Sequence, residues 1–170
     1  MISMKVLVTA SSRHGSTAEI AEAIAKEITR GGFDVELEAP ADVESLEGYD
    51  AVVLGSAVYM TQWTEQARAF ISRFSQELRQ IPVWAFSCGL AGVPSGEAQD
   101  PRRVGPALLQ INAIDHQTFK GRLELTNLGL RERSIARMGS APEGDYREWD
   151  KIRAWAHQIV EDLKEHATAG

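Results

Sequence analysis

The chain has 170 residues, a formal net charge of −6 and one cysteine, Cys88. This length suits a single domain whose core needs no disulfide or structural metal. An acidic balance without a dense Lys/Arg cluster argues against a nucleic-acid partner, and a lone cysteine excludes an intrachain disulfide and a cysteine-rich zinc site.

Met1-Ile2-Ser3-Met4-Lys5 has no signal-peptide layout and leads into residues 5–10 (KVLVTA), a β-branched run that reads as a buried strand. Residues 11–16 form a polar loop. Residues 17–30 then read as a helix with Ile20, Ala21, Ile24 and Ile28 on one face. Ser16 and Glu19 have capping-box spacing at its start, and Gly31-Gly32 ends it. Residues 35–38 suggest an edge strand. Residues 43–46 supply at most one short turn. Residues 51–57 (AVVLGSA) have the continuous apolar character of a central parallel strand.

Residues 65–78 read as a helix with Ala67, Phe70, Ile71, Phe74 and Leu78 inward, followed by a fourth strand at 83–88 (VWAFSC). Residues 89–101 are rich in Gly, Pro and Ser and read as a long loop. Residues 106–112 suggest a short helix with proline in its first turn, and 119–125 a fifth strand. Residues 128–139 give no clear pattern. The last helix is read over 146–166, with Asp145 and Glu148 spaced as a capping box and Trp149, Ile152, Ala156, Ile159 and Leu163 as its apolar stripe. No apolar run approaches the roughly 18–20 residues of a membrane helix. The expectation is one cytoplasmic α/β domain over 4–166, a parallel sheet with helices on both faces.

In such a sheet, ligands bind beyond the carboxyl ends of the strands. After the first strand comes Ser11-Ser12-Arg13-His14-Gly15-Ser16-Thr17, running directly into a helix. Hydroxyls, a glycine and a helix N-terminus suit an anion, because first-turn N–H groups and the helix dipole point at it. The plainer alternative is that Ser16 merely caps the helix. The loop is neither GxxxxGK[ST] nor GxGxxG. After the third and fourth strands come Gly55-Ser56-Ala57-Val58-Tyr59 and Ser87-Cys88-Gly89. A flat ring can lie between those ends, one face against Tyr59 or Trp63. For Trp63, packing under the next helix is at least as good a reading.

Ser12-Arg13-His14-Gly15-Ser16-Thr17 resembles the flavodoxin phosphate loop, Ser/Thr-x-Thr-Gly-x-Thr, with His14 in place of the family's threonine. More narrowly, this loop, Gly55-Ser56-Ala57 and the late run Gly144-Asp145-Tyr146-Arg147-Glu148-Trp149-Asp150 resemble the flavodoxin-type protoporphyrinogen oxidases. Those oxidases carry a longer basic and hydrophobic insert where residues 128–139 are short. The resemblance implies a flavodoxin-like, doubly wound, five-stranded parallel sheet in the order 2-1-3-4-5. It implies FMN, with its phosphate held by Ser12, Arg13, His14, Gly15, Ser16 and Thr17. Ala57, Val58 and Tyr59 would contact one side of the flavin, and Ser87, Cys88 and Gly89 the other. The implied activity is oxidoreduction through FMN, protoporphyrinogen IX dehydrogenase-like, with a small-molecule redox substrate or quinone as partner. The alternative is an electron carrier that meets only a redox protein. A third class is a regulatory domain without flavin.

Cys88 reads as a buried structural cysteine, since a redox thiol needs exposure and a low pKa. His116, His157 and His166 lack metal-ligand spacing. His157 and Glu161, one turn apart, fit a solvated helix face. Arg102-Arg103 reads as surface charge, or as a pair able to meet substrate carboxylates.

Overall fold

The computed structural model describes residues 4–12, 15–59, 62–89, 106–123, 144–145 and 147–169. β1 (Lys5–Ser11), β2 (Asp34–Glu38), β3 (Ala51–Tyr59), β5 (Val83–Gly89) and β6 (Asp115–Lys120) form one parallel sheet in the order β2-β1-β3-β5-β6. β4 (Gln62–Trp63) folds back antiparallel on the end of β3. Counting only the parallel strands, this is the 2-1-3-4-5 order expected of a flavodoxin-like sheet.

The helices cover both faces. α1 (Ser16–Arg30) and α3 (Trp149–Ala169) pack on one, where Ile20, Ile24 and Ile28 meet Ile152, Ile159 and Leu163 over Val6, Val8, Val53 and Phe86. α2 (Glu65–Leu78) packs on the other, placing Phe70, Ile71 and Leu78 over Leu7, Val52, Leu54 and Val83. The side-chain period of two explains why β1, β3 and β5 read as unbroken apolar runs: alternate residues serve two separate cores. Gly55 is forced by one of them. A Cβ there would lie 2.1 Å from Cζ of Phe86, whose ring lies across the strand.

Three sequence expectations are corrected. The last strand of the sheet is Asp115–Lys120 rather than 119–125. It is an edge strand with only Phe119 fully buried, so its sequence is polar and carries no apolar signal. After Gly121 the chain forms β7 (Arg122–Leu123), which pairs with β8 (Gly144–Asp145); residues 124–125 lie outside the described residues. The Ser16/Glu19 capping box does not form. Ser16 is already helical, the cap is Gly15, and the Glu19 carboxylate is taken by Arg147. The Asp145/Glu148 box is likewise absent. α3 starts at Trp149, and Asp145 lies in β8 with its carboxylate bound by Arg147.

Other boundaries agree within a few residues. Pro106–Gln110 is a 3-10 turn, and Pro40–Asp42 forms another just before the buried Val43 and Leu46. The unpatterned segment 128–139 and the loop 90–101 lie outside the described residues.

Candidate functional site

The chain leaves β1 toward β2 and then crosses back to β3, so the switch in strand order falls between β1 and β3. The crevice beyond their carboxyl ends is the expected ligand position. There, Gly15 holds φ 88°, a left-handed conformation suited to glycine, and no atom lies within 4 Å of where its Cβ would be. Its N–H donates to Ser12 Oγ at 2.9 Å, closing the turn. Among the described residues, no side chain caps α1. The positive end of a fifteen-residue helix therefore opens beside a loop carrying Ser12, Ser16 and Thr17. This is the geometry of an anion site. Arg13 and His14 lie outside the described residues.

The other two strand ends stand alongside. Ala57 is paired in register with Cys88, and Ala57, Val58 and Gly89 are half-buried. The backbone of Tyr59 completes β3; its side chain lies outside the described atoms, as do residues 60 and 61. Trp63, considered as a ring platform, is turned away from solvent and 2% exposed. It is anchored in the α2 core, and its indole N–H donates to Ser87 Oγ at 2.7 Å. Ser87 also bonds His116 Nε2 at 2.7 Å, and the Trp63 and His116 rings meet edge to face. Burial holds the His116 imidazole below its usual pKa, against the pull of the Asp115 carboxylate. Ser87 is therefore fully buried and saturated through its side chain, and only its backbone faces the strand end.

Cys88 points to the opposite face and is 3% exposed. Burial pushes its thiol pKa up, while the hydroxyls of Thr17 and Ser16 and the charge of Arg147 pull it back. It is a buried thiol under the phosphate-type loop rather than an activated one. Thr17 is equally buried, at 1%.

Sequence reading missed three parts of this neighbourhood. Ser11 and Ser56 join Thr64, whose hydroxyl donates to Ser11 Oγ at 2.5 Å and whose N–H donates to Ser56 Oγ at 3.0 Å. Thr64 also caps α2 by accepting from the Ala67 N–H. His116 is the second miss. The third is Arg147, whose side chain is only 4% exposed and bridges the carboxylates of Glu19 and Asp145. The available signal was the serine at each strand end and a lone arginine between acidic neighbours. His157 does not pair along its own helix with Glu161 but reaches Glu27 of α1 at 2.8 Å. Arg102 and Arg103 lie outside the described residues. Among the described residues, no His, Cys, Asp and Glu group is arranged to hold a metal ion, and no helix is long and apolar enough to cross a membrane.

A doubly wound sheet whose switch point carries a helix start with the geometry of an anion site is the arrangement of the mononucleotide-binding α/β domains. Comparison with known proteins narrows the class. Residues 7–150 match the flavodoxin domain family, and the chain belongs to that family. The protoporphyrinogen IX dehydrogenase [quinone] of Escherichia coli K12 is 28% identical over 89 residues, which make up 51% of this chain and 49% of that protein. The match thus spans about half the length of the curated relative. Among solved structures, an archaeal flavodoxin superposes with a TM-score of 0.63 at 19% identity, covering 95% of this chain and 99% of its own. Oxidised flavodoxin 2 from Bacillus cereus gives 0.60 at 20% identity over 93% and 99%. Rubredoxin:oxygen oxidoreductase from Desulfovibrio gigas gives 0.60 at 13% identity, covering 95% of this chain but 36% of that one.

Family membership implies FMN as the cofactor. The geometry here fits that group: the uncapped start of α1, the open face of Gly15 and the adjacent hydroxyls suit a terminal phosphate. The close, small-residue ends of β3 and β5 leave backbone groups for a planar ring.

Proposed function

We propose that this protein is an FMN-dependent oxidoreductase of the protoporphyrinogen IX dehydrogenase type. The single observation that carries the FMN part is the start of α1, left uncapped beside Ser12, Gly15, Ser16 and Thr17 at the switch point. In this reading the first-turn N–H groups and the hydroxyls of Ser12, Ser16 and Thr17 bind the phosphate dianion, with Arg13 and His14 completing the loop. The backbones of Ala57, Val58 and Tyr59 border one side of the ring, and those of Ser87, Cys88 and Gly89 the other. Trp63 and His116 lock Ser87 so that the end of β5 keeps its shape. FMN, when bound, supplies the electron-transfer chemistry, and the protein positions it and keeps water from its buried edge.

The substrate assignment draws on the E. coli relative, whose name gives it a quinone acceptor, and on the second flavin strand end, Ser87-Cys88-Gly89, which has no aromatic side chain to cover the ring. The test is to mix oxidised holoprotein with protoporphyrinogen IX and a quinone without oxygen and to follow porphyrin fluorescence. Catalysed porphyrin formation is the expected result. Absence of turnover, together with rapid electron exchange with a flavodoxin reductase, would establish the carrier function instead. That second reading is favoured by one observation: this chain and the archaeal flavodoxin cover each other almost completely.

A further inference from the structure

Arg147 is an unusually well-engaged arginine for a position just before a helix. Its Nε and Nη2 donate to the two oxygens of Asp145 at 2.9 and 2.7 Å. Its Nη1 donates to Glu19 at 2.7 Å and reaches the Ser16 carbonyl at 3.5 Å. The guanidinium also lies 4.7 Å from the centroid of the Trp149 ring. Both carboxylates hold it in its charged form, raising its pKa against the cost of burial. One cation is thus shared between the first turn of α1 and the segment leading into α3.

Glu19 is what makes this arrangement more than a strut. An acid in the first turn favours the helix dipole, and so stabilises α1 in the empty protein. The same charge opposes a phosphate bound at the same helix end, competing for the same dipole. Arg147 lies between these demands. Its charge is felt at the Cys88 thiol, which also meets the Ser16 and Thr17 hydroxyls, so the cluster adjoins the inner side of the phosphate-type loop.

We infer that Arg147 is a positioning residue for the FMN phosphate: shared between Asp145 and Glu19, it offsets the Glu19 charge and fixes the first turn of α1, so that an acidic helix start accepts a dianion. This inference rests on the FMN reading of the site. Arg147 acts through Glu19 and the first turn of α1, and its effect is specific to the charged end of the cofactor.

The test is a titration of apoprotein with FMN and, separately, riboflavin, followed by flavin fluorescence quenching. It compares wild type, Arg147→Met, Arg147→Lys, Glu19→Gln and the double variant Arg147→Met/Glu19→Gln. Arg147→Met is expected to weaken FMN about tenfold, as expected for an unmasked charge near a dianion at the protein surface, and to leave riboflavin within about twofold. The loss should shrink at high salt. Arg147→Lys, which keeps the charge, should retain most of the preference for FMN. Glu19→Gln should restore FMN affinity in the Arg147→Met background more than it raises it in the wild type. Equal losses of FMN and riboflavin would overturn the inference, as would a double variant no better than Arg147→Met. If Arg147→Met does not fold, Arg147→Gln takes its place in the same titrations: a loss of FMN affinity with riboflavin unchanged is expected, and equal losses or no loss would overturn the inference. A wild type that binds FMN and riboflavin equally would overturn the phosphate-site reading itself. A wild type that prefers FMN, with Arg147→Met keeping that preference, would overturn only the role of Arg147.

Discussion

Replacing Thr17 by valine separates a phosphate ligand from a structural hydroxyl. The substitution keeps shape and branching and removes one oxygen from a residue that is 1% exposed in the first turn of α1. Without a ligand, the hydroxyl lies by the Cys88 thiol, whose pKa it lowers, and a thiol is a weak hydrogen-bonding group. The apoprotein should therefore lose less than about 1 kcal/mol, the net value of an ordinary hydrogen bond. With FMN bound, the proposed partner is a phosphate dianion. A bond to a charged group contributes about 1.5–3 kcal/mol, so FMN affinity should fall roughly 10- to 150-fold. Riboflavin, which has no phosphate, should bind both variants alike. Fluorescence titration gives the two affinities, and urea denaturation of the apoprotein gives the stability. Unchanged FMN affinity with a clear drop in apoprotein stability would refute the reasoning and leave Thr17 as a structural residue of the helix start.

Gly55→Ala should destabilise the protein by about 1–3 kcal/mol or more, because its methyl would enter the Phe86 ring, which Phe119 and Trp155 hold in place; an unchanged urea midpoint would show that the ring moves freely. Ser87→Ala strands the buried Trp63 N–H and should cost about 1–3 kcal/mol, with a change in tryptophan near-ultraviolet dichroism; wild-type stability would argue against that bond. The depressed pKa of His116 makes stability depend on pH. The unfolded chain binds the proton more readily, so the contribution is full above the ordinary value of 6.5 and is lost as pH falls below it toward the folded value. Stability between pH 7 and 5 should accordingly fall less in His116→Gln than in wild type, as measured by urea melts. Identical slopes would show that His116 titrates as if in water.

The sequence was most legible where one physical signal dominated. Unbroken apolar runs marked β1, β3 and β5, because each strand is covered on both sides. Helical periodicity placed α2 at its observed bounds, since Ala67, Phe70, Ile71, Phe74 and Leu78 all face one core. β6 was misplaced because it is an edge strand whose outward residues are polar, and Gln117 and Lys120 look like loop. The capping boxes failed for a different reason. Spacing shows that a carboxylate is within reach of a backbone N–H, but not that a distant arginine will claim it first. Glu19 and Asp145 were both claimed by Arg147, which lies 128 residues from Glu19 in sequence. The phosphate-type loop was visible because it is local. The residues that adjoin it, Cys88 and Arg147, arrive from other elements, and nothing within the loop itself announces them.

The register of the sheet shows how a core becomes a site within a few residues. On the α2 face, Leu7, Val52 and Val83 lie side by side across three strands as an apolar layer. Two residues further along each strand, Thr9, Leu54, Ala85 and His116 form a mixed layer. Two further still, Ser11, Ser56, Ser87 and Thr118 align as a row of hydroxyls across β1, β3, β5 and β6. Short side chains there let the start of α2 come down onto the strand ends, where Thr64 reaches Ser11 and Ser56 and Gln66 accepts from Ser11. Ser11, Ser56 and Ser87 are thereby satisfied within the protein, whereas the buried hydroxyls of Thr9 and Thr118 have no hydrogen-bond partner among the described residues. Through Thr64 the hydroxyl row ties the ends of β1 and β3 to the start of α2, and through Trp63 it ties the end of β5 to the same segment. In the proposed FMN site, removing a single hydroxyl from the row is expected to act on ring binding through strand position, whereas changes at Thr17, Glu19 or Arg147 are expected to act through the phosphate. The ratio of FMN to riboflavin affinity distinguishes the two kinds of change, since only the second kind alters it.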